Sequence, residues 1–254
     1  MKLTGFGISK IEGGDNSSKG FQAQEIVLKN LGELDDQSWS PSFEDYKMAD
    51  VFSFGVVSFF ILTNGGHPFS NPDPKKSRRV GDRENRIADG ELPNCEMIED
   101  QEAMHMVQAC LFHDSILRPD SEKLLNRHPM FFDSKKRIEV LNKATIANNL
   151  DYLDKFCTNW NWHSAFFDIL EGGALLDPRG EEVYFRVFGL ELVRFLRYLI
   201  ANHASFPSGS KVDNALSCFD MMQASFISDS EDRICAFIKS RVSLFWCWLY
   251  EDDL

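Results

Sequence analysis

A chain of 254 residues holds one large or two ordinary domains, and 43% apolar residues supply packed cores, which excludes a disordered chain. Lysine and arginine number 27 against 39 aspartates and glutamates; the net charge of −12 repels phosphates and excludes wholesale nucleic-acid binding short of a local basic cluster. Six cysteines (Cys95, Cys110, Cys157, Cys218, Cys235, Cys247) form no CxxC pair and sit mostly among apolar neighbours, so they read as reduced core thiols in a cytoplasmic setting.

The opening Met1 to Lys10 has no charged-then-apolar leader pattern. Residues 11–20, IEGGDNSSKG, read as a loop rich in Gly, Ser and Asp, and the polar stretch from Asn71 to Arg86 reads the same way. Between them, the apolar run from Val51 to Leu62 is far below the ~20 residues of a membrane span. Apolar on nearly every side, it reads as a core helix with neighbours all around it. No membrane segment is therefore expected.

Beyond Pro129 the apolar spacing becomes three and four. Leu190, Val193, Leu196 and Ile200 form one helical stripe, and Val212, Leu216, Phe219 and Phe226 a second. Ser228 with Glu231 three positions on reads as a capping box for a helix carrying Ile234, Phe237 and Ile238. No repeat of fixed period is present.

Six short segments then stand in a telling order. Gly5-Phe6-Gly7 follows an apolar opening; Ala23-Gln24-Glu25, Asp50-Val51-Phe52-Ser53-Phe54-Gly55, His67-Pro68-Phe69, Arg118-Pro119 and His128-Pro129-Met130-Phe131 succeed it. In order and spacing they resemble the landmarks of a protein-kinase C-lobe. The resemblance implies an ion pair between Glu25 and Arg118 that ties the activation segment to the lobe, with the guanidinium fork matching the carboxylate. For Asp50 two roles stand side by side: accepting backbone N–H groups of a catalytic loop, or capping the start of its own helix.

Gly5 occupies the place of the kinase aspartate that holds magnesium, and glycine has no oxygen to offer a metal. The Gly-rich loop, the ATP-contacting lysine and the His-Arg-Asp loop would all precede Met1. The expectation is therefore an incomplete ATP and magnesium site, no cofactor, and no kinase chemistry in this chain. An apolar patch on the core helix should then lie uncovered.

From Phe131 onward the carriers of resemblance are FFDSKKRIEVLNKAT, the segment Asn159-Trp160-Asn161-Trp162, YFRVFGLELVRFLRYLIANH and SEDRICAFIKSRVSLFWCWL. They resemble the kinase-extension nuclease (KEN) domain of the unfolded-protein-response sensor kinase/endoribonucleases and of ribonuclease L. That family cleaves RNA without metal, a His moving the proton while Arg, Asn and Tyr position the phosphate. Matched residue by residue, the Tyr falls on Phe188, the Arg on Ala201, the Asn on Asn202 and the His on Phe206. Three of the four lose their chemistry: a ring without hydroxyl, a methyl without charge, and a ring that moves no proton.

His203, next to Asn202, reads either as a displaced acid/base or as a solvated residue at a helix end. Arg194 and Arg197 share one helix face and read as phosphate contacts or as ordinary solvated charges. His163, beside Trp162, reads as packed rather than catalytic. Residues 133–254 carry 13 basic against 18 acidic side chains, a net of −5, so RNA binding is expected to be weak.

The composite expectation is a mainly α chain: residues 1–130 a partial kinase C-lobe of pseudokinase type, and residues 131–254 an all-helical KEN domain. The resemblance implies a degenerate member of the family, weak or inactive on RNA, acting through homodimerisation, heterodimerisation with an active relative, or other protein contacts. The aromatic end from Leu244 to Tyr250 reads as core or as interface. The alternatives are a metal-independent endoribonuclease using Asn202, His203 and Arg197, or a fragment of a longer, membrane-anchored sensor.

Overall fold

The computed structural model of the chain describes residues 19–33, 41–71, 79–144, 162–170, 174–176, 178–179, 181–185, 189–222, 230–242 and 247. It is mainly helical and divides between His128 and Pro129 into two compact units. Gly5 to Gly7, Asn159 to Asn161, Phe188, Phe226 and Ser228, with most of the 11–20 and 244–250 segments, lie outside the described residues. No helix among the described residues is long and apolar enough to cross a membrane.

The first unit carries α1 (Gln24–Leu31), α2 (Phe43–Leu62), α3 (Val80–Ala88), α4 (Gln101–Cys110) and α5 (Ser121–Arg127). Acidic and hydroxyl side chains start three of them: Ser42 and Asp45 form a reciprocal capping box on α2, Asp100 accepts two N–H bonds on α4, and Asp120 does so on α5. Since Ser42 opens α2, Asp50 sits inside that helix and the N-cap role read for it is overturned.

Helix α2 packs on α4 and α5, and Val51, Phe52, Val56 and Phe59 are buried there. Gly55 makes the approach possible, since a Cβ at that position would lie 2.7 Å from Cys110 Cβ. The expectation of neighbours on every side fails, because Phe54, Val57 and Ile61 are 37%, 43% and 63% exposed. The expected uncovered apolar face is thus present.

The Asn71–Arg86 stretch, read as one loop, is in part helix. Residues 80–88 form α3, which packs on α1, buries Ile87, and holds its last carbonyl by a 2.9 Å bond from Gln24 Nε2 to Ala88 O. A polar nonamer of weak intrinsic tendency becomes a helix because a neighbouring helix covers its one apolar residue.

His67 clamps the start of the described chain to the end of α2. Its Nε2–H donates to Gly20 O at 2.6 Å, while Nδ1 accepts the Phe69 N–H at 3.2 Å. Burial holds its pKa down at about 4, against the opposing pull of the Gly20 carbonyl. The unfolded chain takes up that proton near the ordinary value of 6.5, so the stability that neutral His67 confers is complete above that pH. Stability is then expected to fall by about 3 kcal/mol as pH drops from the ordinary value to the folded one. Urea midpoints across that range check it: His67→Gln, which takes up no proton, removes this part of the slope.

The second unit carries α6 (Ser134–Ala144), a 3-10 turn at Trp162–Phe166, strands β1 (Ala174–Leu176) and β2 (Glu182–Tyr184), then α7 (Gly189–Asn202), α8 (Lys211–Met222) and α9 (Ser230–Arg241). Helix α9 packs on α6, α7 and α8. Two guanidiniums fasten it: Arg233 to Asp220 at 2.5 and 3.0 Å, and Arg241 to Asp168 at 2.6 Å.

The apolar stripes land in this core. Val193 and Leu196 on α7, Val212, Leu216 and Phe219 on α8, and Ile234, Phe237 and Ile238 on α9 are all buried. The backbone at His163 forms part of the 3-10 turn.

The all-helical expectation is corrected by the antiparallel pair β1–β2, in which Leu175 faces Val183. Asp177-Pro178-Arg179-Gly180 between the strands is turn chemistry, and Leu175 and Phe185 bury against the helices. The thiols follow their burial. Cys95 and Cys235 are pushed up to about 11 and Cys110 to about 12 by desolvation, whereas Cys218 is exposed and departs from the core reading.

Candidate functional site

In the first unit the structure brings Glu25 and Arg118 together across the unit. The guanidinium meets the carboxylate in a fork, Nη1 to Oε1 at 2.7 Å and Nη2 to Oε2 at 2.9 Å. Its remaining donors are spent on carbonyls: Nε on Phe112 O at 2.7 Å, Nη1 on Met48 O at 3.0 Å, Nη2 on His113 O at 2.9 Å. The plane also lies over the Phe52 ring at 5.1 Å. This site is structural: Arg118 is 4% exposed, and every polar atom of it faces protein. Ser53 adds a second tie to the same segment, its Oγ–H donating to Phe21 O at 2.8 Å.

The second unit has a groove of about 830 Å³ along α7, closed by α6 and by the start of α9. Asn202 and His203 line it together with Ala201, Arg194 and Arg197. They gather there because α7 ends at Asn202 and passes into a tight 3-10 turn, His203–Ser205, before Pro207. One helix end thus carries most of the candidate positions.

Their bonding restricts what they can do. Asn202 Nδ2 donates back to Tyr198 O at 2.9 Å, within its own helix. His203 Nδ1 lies 2.7 Å from Ile200 O, and a carbonyl only accepts, so in the neutral ring Nδ1 carries the proton and Nε2 the lone pair. Nε2 is enclosed and has no partner among the described residues. Arg194 pairs with Glu191 at 3.2 Å and lies over the Phe185 ring at 5.6 Å. Arg197 Nε donates to Asn142 Oδ1 at 3.1 Å.

The other matched positions divide. Ala201 is exposed at the groove and brings a methyl. Phe206 turns away from the groove into the core, 9% exposed, edge-on to Tyr198 with ring centres 6.4 Å apart. Phe188 lies outside the described residues.

Sequence reasoning missed Asn142 and took Glu231 only as a capping residue, yet both line the groove. Asn142 stands 55 residues before its Arg197 partner, and no local pattern announces such a pair.

No protein-family model matches the chain. It is similar to "Probable serine/threonine-protein kinase irlB" of Dictyostelium discoideum, 26% identical over 217 residues, covering 77% of this chain and 14% of that protein. It is also similar to "Serine/threonine-protein kinase/endoribonuclease IRE1b" of Arabidopsis thaliana, 28% identical over 211 residues, 78% of this chain and 21% of that protein. A third relative, "Inactive serine/threonine-protein kinase/endoribonuclease IRE1-like" of Arabidopsis thaliana, is 28% identical over 160 residues, 59% of this chain and 25% of that protein. The chain spans a quarter or less of the length of these three relatives.

Proposed function

Given that this chain's homologues are IRE1-type serine/threonine-protein kinase/endoribonucleases and Dictyostelium irl kinases, we propose that it is a degenerate member of that group which does not cleave RNA. In this reading the first unit is a pseudokinase C-lobe and the second a KEN domain working through dimerisation or other protein contacts. The reading rests on one observation above all: the side chain at the general-acid position, Phe206, packs into the core, while Ala201 leaves the groove without the matching cation. Neither a phosphate clamp nor a proton carrier stands at the matched places. A relative whose own name carries the word inactive accords with this.

A second reading, metal-independent RNA cleavage, is favoured by one fact: Arg197, Asn202 and His203 line the same groove. There His203 would serve as base through Nε2, beside the Arg197 cation.

One assay divides the two. Purified protein, incubated with a stem-loop RNA in chelator, is expected to leave the RNA intact, as is His203→Ala. Cleavage that disappears in His203→Ala overturns the first reading in favour of the second.

A further inference from the structure

We propose that the groove of the second unit docks a polypeptide segment of a partner protein, one that carries an acidic and a basic side chain on either side of an apolar one. The inference deepens the reading above, in which this unit works by protein contacts.

Charge speaks first. The groove presents two carboxylates, Glu191 and Glu231, beside two guanidiniums, Arg194 and Arg197, so the two signs cancel. A nucleic-acid strand is uniformly anionic and binds where cations are in excess. Here it meets two carboxylates in a unit whose net charge is already −5 over residues 133–254. A polypeptide carries both signs, and alternate charges along a groove fix its register and direction.

The floor comes next. Ile138, Leu141 and Ile200 line the groove with apolar surface, and Leu141 is fully buried. Such a floor takes an apolar anchor, the kind of contact that dominates binding energy. The volume of about 830 Å³ lies within the ~300–1,000 Å³ of sites that enclose a compact ligand.

The third observation is His203. With Nδ1–H committed to the Ile200 carbonyl, the neutral ring turns an enclosed acceptor, Nε2, into the groove wall with no partner among the described residues. A buried acceptor left unpaired is unfavourable, and a donor brought by a ligand relieves it. A polypeptide offers an N–H at nearly every residue, whereas a phosphate offers only further acceptors.

The test uses the whole chain and short fluorescent peptides in which lysine, leucine and glutamate are permuted over alternate positions, with single-stranded RNA as the competing probe. Anisotropy is expected to show that one order of the three binds. Arg197→Glu weakens that binding by roughly tenfold, and replacing the peptide's glutamate by lysine restores it to the variant. Glu191→Lys, read in parallel, shifts preference toward peptides with the charge order reversed, so a folding defect in one variant does not decide the outcome. Peptides that all fail to bind, or that bind indifferently to both substitutions, overturn the assignment; so does RNA that binds the groove and is lost in Arg197→Glu. A stem-loop RNA incubated with the same samples keeps the two readings apart. Its cleavage sinks the non-cleaving function, whereas intact RNA with no substitution-sensitive peptide binding sinks the groove assignment alone.

Discussion

Arg118→Ala is expected to destabilise the first unit by about 3–5 kcal/mol, the loss that follows when one partner of a buried pair is removed. The magnitude comes from what is left behind rather than from the pair itself. Glu25 would keep its charge with only 19% of its side chain exposed, and three carbonyls, those of Met48, Phe112 and His113, would each lose a donor. The Phe52 ring would also lose the cation 5.1 Å above it. Arg118→Lys recovers only part of this, since one ammonium replaces charge but not a planar fork reaching a carboxylate and three carbonyls at once. Because the chain has two units, the readout is amide hydrogen exchange along α1 and α2 rather than a single melting temperature. A loss below about 1 kcal/mol would class the pair with exposed ion pairs and remove its role as the tie between α1 and the lobe.

Phe195→Ala is expected to cost the second unit about 3–5 kcal/mol and to abolish the groove with it. Phe195 is fully buried on α7, edge-on to Phe166 at 4.9 Å and to Phe185 at 5.1 Å. Two aromatic contacts vanish together, and the cavity they leave lies under the turn of helix that carries Arg194 and Arg197. Those two side chains and His203 are held where they are only because the opposite face of α7 is locked into the core. The checks are thermal unfolding followed at the second unit and exchange of the α7 amides. Exchange unchanged from the parent chain would show that α7 is held by something other than this aromatic cluster.

Both substitutions touch residues whose importance was legible before any coordinates, though to different degrees. Glu25 and Arg118 are 93 positions apart, and only the ordered landmarks around each of them announce the partnership. The core of the second unit is readable from spacing alone, since Val193, Leu196, Val212, Leu216, Phe219, Ile234, Phe237 and Ile238 recur at three and four and are all buried. Local periodicity carries that information because a helix face is defined by its own sequence. The same rule misled over α2, where apolar residues occur all round the helix but Phe54, Val57 and Ile61 remain in contact with solvent.

What tertiary structure alone decided is which way each side chain at the candidate site turns. Residue matching places Ala201, Asn202 and Phe206 in one row; the fold sends Phe206 into the core and leaves Ala201, Asn202 and His203 at a groove. It also supplies Asn142 and Glu231 from distant helices, turns residues 80–88 into a helix by covering Ile87, and builds a β-hairpin where only helices were expected. Sequence by itself determined the helical units, their cores and the fork of Arg118 on Glu25, because those follow from spacing and from side-chain chemistry. The groove, its balance of charges and the enclosed nitrogen of His203 depend on where chain from far away comes to rest, and no periodicity encodes that.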